Sequence, residues 1–291
     1  MNSFIKSKTP YYQSKDFNQV KKGIYLVGFG FDGTACFRKG TKLGPDAIRE
    51  ASDGIESYSP YLDKELEEVE FYDCGNLPVG ETENQEHNWQ VGTKAFFDNF
   101  NQSHLKDGAK VLTIGGEHSI SYAPISLYLE TFEDLVLIHL DAHADLRDGY
   151  EGYHYSHASV IRRAMDHFGE KHKLIQYGIR SGTKEEYKWM KENSTLKTSR
   201  NDFLDSIKSL DSKRPIYLTL DLDYFDPSFL PGTGTPEAGG EDFHSFISLI
   251  KILQEKNLVG ADVVELSPPL DSSGNSDVFA TKVVREILLT L

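Results

Sequence analysis

Two cysteines in 291 residues, Cys36 and Cys74, are too few for a disulfide framework, and neither belongs to a Cys-x-x-Cys pair or lies near a second sulfur ligand. Both are expected as reduced thiols. Basic residues are also in short supply: 31 Lys and Arg stand against 45 Asp and Glu, a formal net charge of −14. Binding nucleic acid by phosphate neutralisation needs the opposite balance, so no nucleic-acid partner is expected. The same acidity opposes adhesion to anionic membrane surfaces. No apolar run approaches the roughly 20 residues that span a bilayer. The polar stretch Met1–Phe17 does not lead into the apolar segment of a secretory signal, and a cytoplasmic location is expected. Low-complexity linkers and internal repeats are missing as well, which predicts a single domain over residues 1–291.

What the chain does contain is a series of short aliphatic or β-branched runs: Ile24–Phe29, Val69–Tyr72, Lys110–Ile114, Leu135–Leu140, Lys173–Tyr177, Ile216–Leu220 and Val259–Val264. Nearly continuous rather than alternating apolar character predicts strands buried on both faces, as in a parallel sheet covered by helices. Helical spacing is clearest at Phe243, Phe246, Ile247, Ile250 and Leu253, after the acidic start Glu241 and Asp242. A second stripe, Val278, Val284, Ile287 and Leu291, predicts a C-terminal helix. Strand and helix alternate throughout, so the expected fold class is α/β, a three-layer α/β/α sandwich.

Three of the predicted strands end in metal-capable side chains: Gly115-Gly116-Glu117-His118, Asp141-Ala142-His143-Ala144-Asp145 and Asp221-Leu222-Asp223. In extended chain, residues at i, i+2 and i+4 point the same way, so Asp141, His143 and Asp145 can converge, and so can Asp221 and Asp223. Ligand sites of parallel sheets lie beyond the carboxyl ends of the strands. Acids at strand ends are often no more than solvated loop residues. Four Asp and two His gathered together, however, repel strongly unless cations lie among them. Carboxylates shared by two ions, with one imidazole for each, suit manganese better than a thiolate-rich zinc site; zinc, cobalt and iron stay open on ligand type alone.

The runs GGEHSI, HLDAHADLR and LTLDLDYFDPSFLPGTGTPEAGG resemble the three metal-binding signatures of the ureohydrolase (arginase and agmatinase) family. The stretches Gly40–Pro45 and Val264–Pro268 also resemble it. The resemblance implies an arginase-like fold with a central eight-stranded parallel sheet and two Mn2+ ions per chain. It implies His118 as ligand of one ion and His143 of the other, Asp141 and Asp221 as bridging carboxylates, Asp145 as a ligand that also holds the attacking hydroxide, and Asp223 as a ligand of the second ion. It further implies a homo-oligomer, a trimer or hexamer.

The expected reaction is attack of hydroxide, generated between the two cations, on a guanidinium carbon, with release of urea. His157, in Tyr155-Ser156-His157-Ala158-Ser159, matches a family histidine assigned to proton shuttling or substrate contact, and imidazole titrates in the right range. An ordinary loop histidine is the alternative. His154 is open between a surface role and a site role, and His139, inside a strand, reads as a core or supporting group. Glu265 matches the carboxylate that pairs with the guanidinium group. The loop Leu146–Tyr155 has no Asn or Ser to meet an α-carboxylate, while its three Tyr, Asp148 and Glu151 suit an amine-terminated cation; Arg147 fits only if it points away. The expectation is therefore a small cationic guanidino substrate, agmatine, cleaved to putrescine and urea. Guanidinobutyrate, arginine and formiminoglutamate are the alternatives within the family. A metallophosphatase lacks its GDxxD and GNH[DE] runs here, a one-metal deacetylase would not need six ligands, and a non-catalytic homologue would have lost one.

Overall fold

The computed structural model describes residues 4–291. Among them, eleven strands run β1 (Lys15–Asp16), β2 (Gly23–Phe29), β3 (Tyr58–Ser59), β4 (Lys64–Glu65), β5 (Phe71–Asn76), β6 (Ala109–Gly115), β7 (Val136–Leu140), β8 (Lys173–Tyr177), β9 (Leu196–Lys197), β10 (Pro215–Asp221) and β11 (Asn257–Val264). The α-helices are α1 (Gly44–Ser52), α2 (Gln85–Asn99), α3 (Gln102–Lys106), α4 (Tyr122–Thr131), α5 (Val160–Ala164), α6 (Lys184–Glu192), α7 (Arg200–Lys208), α8 (Phe243–Leu253) and α9 (Asn275–Leu288). Alternate side chains of the long strands face opposite ways, and both directions lead into core. On β2, Ile24 and Leu26 enter a cluster with Ile48 of α1, Phe203 of α7, Ile250 of α8 and Ile287 of α9. Tyr25, Val27 and Phe29 enter a second one with Phe96 of α2, Tyr128 of α4, Ile161 of α5 and Met190 of α6. Helices thus cover both faces, which gives the three layers and explains the unbroken apolar runs.

Nine strands form one parallel sheet in the order β1-β5-β2-β6-β11-β10-β7-β8-β9, and β3 and β4 form a small antiparallel pair. The expected count of eight is corrected to nine. Seven of these strands correspond to the seven apolar runs, and the other two, β1 and β9, are two-residue edges with too few apolar side chains to make a pattern. β5 starts later than expected and continues to Asn76, because the fully buried guanidinium of Arg49 meets Asp73 at 2.8 Å and Asn76 at 2.6 Å. In α9 the core stripe is Ala280, Val283, Val284 and Ile287, whereas Val278 is 45% exposed, a correction to the predicted stripe. Asp242 caps α8 through Ser245 N at 2.7 Å, as its acidic start suggested, but Glu241 instead pairs with Arg200.

The four central strands β6, β11, β10 and β7 end level with one another: Ile114 pairs with Val263, Val264 with Asp221 and Leu220 with Leu140. Every chemically active run begins where one of these four strands stops. Gly116 lets the β2 loop close over that edge, since a Cβ there would lie 1.9 Å from Phe31 O. In this close contact Gly116 N donates to Phe29 O at 2.9 Å and Glu117 N to Phe31 O at 2.8 Å.

Candidate metal centre and substrate cavity

His118 leaves β6 with its ring fully buried and its two nitrogens in different company. Nε2 lies 2.8 Å from Thr219 Oγ1, and that hydroxyl donates its only proton to Asp262 Oδ1 at 2.7 Å, so Nε2 carries the ring proton. Asp262 is also bonded by Ser121 and Tyr217, at 2.9 and 2.8 Å. Nδ1 is therefore the nitrogen left to offer a lone pair to a cation, once a cation displaces any proton it shares with the neighbouring carboxylates. Among the described residues it is buried without a hydrogen-bond partner, and it faces Asp141 and Asp145 at 3.0 Å each and Asp221 at 3.5 Å. An orphaned imidazole nitrogen aimed at three carboxylates is what a cation site requires.

The second half of the centre joins His143 Nδ1 to Asp223 Oδ2 at 2.9 Å and Asp141 Oδ1 at 3.6 Å. Donor atoms close enough to hold one ion occur as His118, His139, Asp141 and Asp145, and again as Asp141, His143 and Asp223. Asp141 is common to both groups, the arrangement of a carboxylate between two ions. His139 belongs to the first group only by proximity. Thr195 donates to Gln176 Oε1 at 2.8 Å, so Gln176 Nε2 donates to His139 Nδ1 at 3.1 Å, and His139 Nε2 donates to Asp141 at 2.7 Å. His139 supports a ligand, in line with its expected supporting role.

Electrostatics point the same way. Burial first, then the neighbouring Asp223 and Asp141, hold the Asp221 carboxyl well above the usual carboxylate range. Burial and the charge of Asp141 push Asp145 up to about 6. Burial opposes ionisation of Asp141 too, yet His139 and His118 keep it well below its usual value. Two divalent ions relieve this crowding, and oxygen with imidazole nitrogen is a fitting donor set for them. Asp145 and Glu265 also share a backbone signature: both are non-glycine residues in the left-handed region, with φ of 53° and 69°.

A cavity of about 280 Å3 opens on this centre, with His118, Asp145 and Asp221 at its floor and Glu265, His157 and Arg147 among its walls. Glu265 Oε1 accepts from His118 N at 2.7 Å. Burial, followed by the charge of Glu117, raises its pKa well above the usual range. The structure thus brings together all eight residues singled out for the site. It does not bring in His154, which meets Arg163 at 2.7 Å, nor Asp148, bonded to Arg163 at 2.6 Å. Of the three loop tyrosines only Tyr150 reaches the cavity, and Tyr155 stacks on Trp89 at 4.5 Å. Arg147 does not point away: it lines the cavity with its guanidinium 4.4 Å from the centre of the Tyr150 ring.

The residues that the sequence left unassigned are Cys36, Thr183, Glu186 and Thr235 in the cavity wall and Arg180 behind it. Arg180 donates to Asp223 O at 2.6 Å and Glu237 O at 2.8 Å, fixing the loop beyond β10. Thr235 lies within the third motif and was open to notice; the others carry no pattern in the sequence.

The profile of the Arginase family matches residues 22–290. An agmatinase of Bacillus anthracis is 38% identical, over 98% of this chain and 95% of its own. An N(1)-aminopropylagmatine ureohydrolase of Thermococcus kodakarensis is 33% identical over 85% of this chain and 83% of its own. The crystal structure of the agmatine ureohydrolase of Thermoplasma volcanium superposes with a TM-score of 0.80 and 27% identity, covering 98% of this chain and 95% of that one. Matched over nearly its whole length in sequence and in fold, the chain is a hydrolase that belongs to the arginase family.

Proposed function

We propose that the protein hydrolyses agmatine to putrescine and urea with two Mn2+ ions, held by His118, Asp141, His143, Asp145, Asp221 and Asp223. The observation that carries this reading is the pair of donor groups sharing Asp141 at the floor of a cavity walled by Glu265. The ions, when bound, supply Lewis acidity and make hydroxide available near neutral pH. Glu265 keeps Oε2 for the guanidinium, because Oε1 is already engaged by His118 N. That pairing orients the planar carbon over the floor. Asp145, held above the ordinary carboxyl pKa by burial and by Asp141, is suited to hold a proton at the floor as water adds. His157 exchanges a proton with the departing amine at the wall.

The far end of the substrate is the harder question. Glu186 is buried, and its oxygens accept only backbone N–H groups, from Leu146 at 3.0 Å and Thr183 at 2.7 Å. Its charge meets no side-chain cation among the described residues, which favours a distal ammonium as its counter-ion. Arg147, held against Tyr150, adds a positive charge that shortens the acceptable reach. A second reading, an aminopropylated agmatine, is favoured by one observation. A neighbouring cavity of about 290 Å3, lined by Leu146, Trp189 and Glu185, shares Arg147, Thr183 and Glu186 with the first.

The test is urea release by the manganese-loaded protein from agmatine, N(1)-aminopropylagmatine, arginine and guanidinobutyrate, with formamide release from formiminoglutamate. The expected kcat/KM is highest for agmatine. A higher value for arginine or guanidinobutyrate overturns the proposal, and one for the aminopropylated compound selects the second reading. Residues 1–291 act as one domain in this proposal, in a cytoplasmic homo-oligomer, trimeric or hexameric. Among the described residues no helix is long and apolar enough to cross a membrane.

A further inference from the structure

His157 reaches the cavity wall from a short turn, and behind its ring lies a chain of groups that the reaction as described above leaves unused. Glu117, the acid of the GGEH run, is fully buried. Its Oε1 accepts from Ser119 Oγ at 2.6 Å and, at short range, from Thr34 Oγ1; its Oε2 accepts from Thr34 N at 2.8 Å. Three donors on two oxygens are the partners of an acceptor. Thr34 is itself buried, and its hydroxyl lies 3.4 Å from both His157 N and His157 Nδ1. A backbone N–H can only donate. Thr34 Oγ1 therefore acts as acceptor towards His157 while its single proton goes to Glu117.

We propose that Glu117 and Thr34 are positioning residues that fix His157 in the tautomer with its proton on Nδ1, so that Nε2 presents a lone pair to the cavity. The inference rests on the reading of His157 as the group that exchanges a proton with substrate. Free imidazole side chains favour the opposite tautomer, so the surroundings must impose this one. Burial, and then the charges of His143, His118 and Arg147, push the ring down to about 4, so at pH 7 it is neutral and has a tautomer to choose.

The consequence for the reaction is a proton balance. With Nε2 unprotonated at rest, His157 cannot be the original source of the proton that the amine needs. It first accepts one at Nε2 from the water that adds to the guanidinium carbon, becoming imidazolium, while the second proton of that water is left to Asp145 as the carbonyl of urea forms. The same proton then passes to the leaving nitrogen as its bond to carbon breaks, and the ring returns to the starting tautomer with Nδ1–H unchanged. Thr34 keeps its bond to Glu117 throughout and shuttles nothing.

Two measurements test this. Long-range 1H–15N NMR of metal-free protein with 15N-labelled histidine, the His157 signal being assigned by its loss in His157→Gln, reads the tautomer directly. Nδ1 protonated in the wild type is the expected result, and Nε2 protonated overturns the proposal whether or not any variant folds. In the manganese-loaded enzyme Thr34→Val should lower kcat by roughly ten- to a hundredfold with KM within about twofold, and Thr34→Ser should restore it. Thr34→Val with wild-type kcat and an unchanged tautomer also overturns it. A wild type that shows the expected tautomer but hydrolyses no guanidino compound defeats the functional reading alone.

Discussion

At the scale of single residues, the site is held by side chains whose second contacts leave them little choice. Glu265 has one oxygen occupied by His118 N and one directed to substrate. Glu265→Gln should keep two metals per chain by elemental analysis while kcat/KM for the guanidino substrate falls. Loss of a charge-assisted hydrogen bond of about 1.5–3 kcal/mol corresponds to roughly a ten- to hundredfold drop; unchanged kinetics would remove Glu265 from the site. His118 depends in the same way on Thr219 and Asp262, which set its tautomer. Asp262→Asn should weaken metal affinity by about 10–100-fold, read by titration of the metal-free protein, without displacing the strand that carries it. The metal-capable residues were legible in the sequence because alternation along extended chain brings Asp141, His143 and Asp145 to one face. Thr34 and Glu186 were not, because they reach the site through contacts 83 and 40 residues apart in the chain, to Glu117 and Leu146. No local pattern encodes such contacts.

At the scale of elements, the apolar runs located all seven long strands, and their boundaries slipped furthest where polar residues continue the ladder. β5 is the clearest instance: Asp73 and Asn76 look like a turn but lie within the strand because Arg49 is buried beside them. The edges β1 and β9 were invisible for the opposite reason, since two-residue strands leave no periodicity to detect. α8 supplies a prediction that separates stability from chemistry. Asp242 accepts from both the backbone and the hydroxyl of Ser245 at 2.7 Å, so Asp242→Ala should cost about 1 kcal/mol in denaturant unfolding and leave kcat unchanged. A matching fall in kcat would mean that this helix does more than cover the sheet.

For the whole molecule, the few acids that are buried together at the site are the costly ones, and metal and pH should act on them together. In the metal-free protein burial and neighbouring carboxylates raise Asp221 and Glu265, and carboxylate partners outweigh burial to raise His118 and His143. A group whose pKa is higher in the folded form holds protons that the unfolded chain has already released. Above about pH 6.5, the unfolded histidine value, stability of the metal-free protein should therefore fall as pH rises. Thermal unfolding between pH 6.5 and 8 should show this loss, and saturating manganese should abolish or reverse it, since metal binding strengthens as ligands deprotonate. A metal-free protein that gains stability over the same range would contradict the placing of these groups. The level ends of β6, β11, β10 and β7 carry one more consequence. Amide hydrogen exchange is slowest where opening requires the middle of a sheet to come apart, and the candidate ligands hang from those four strands. Bound ions need no such opening, because the cavity reaches His118, His143, Asp145 and Asp221 directly: chelator-driven release from the folded protein should outpace exchange at Leu140 and Leu220.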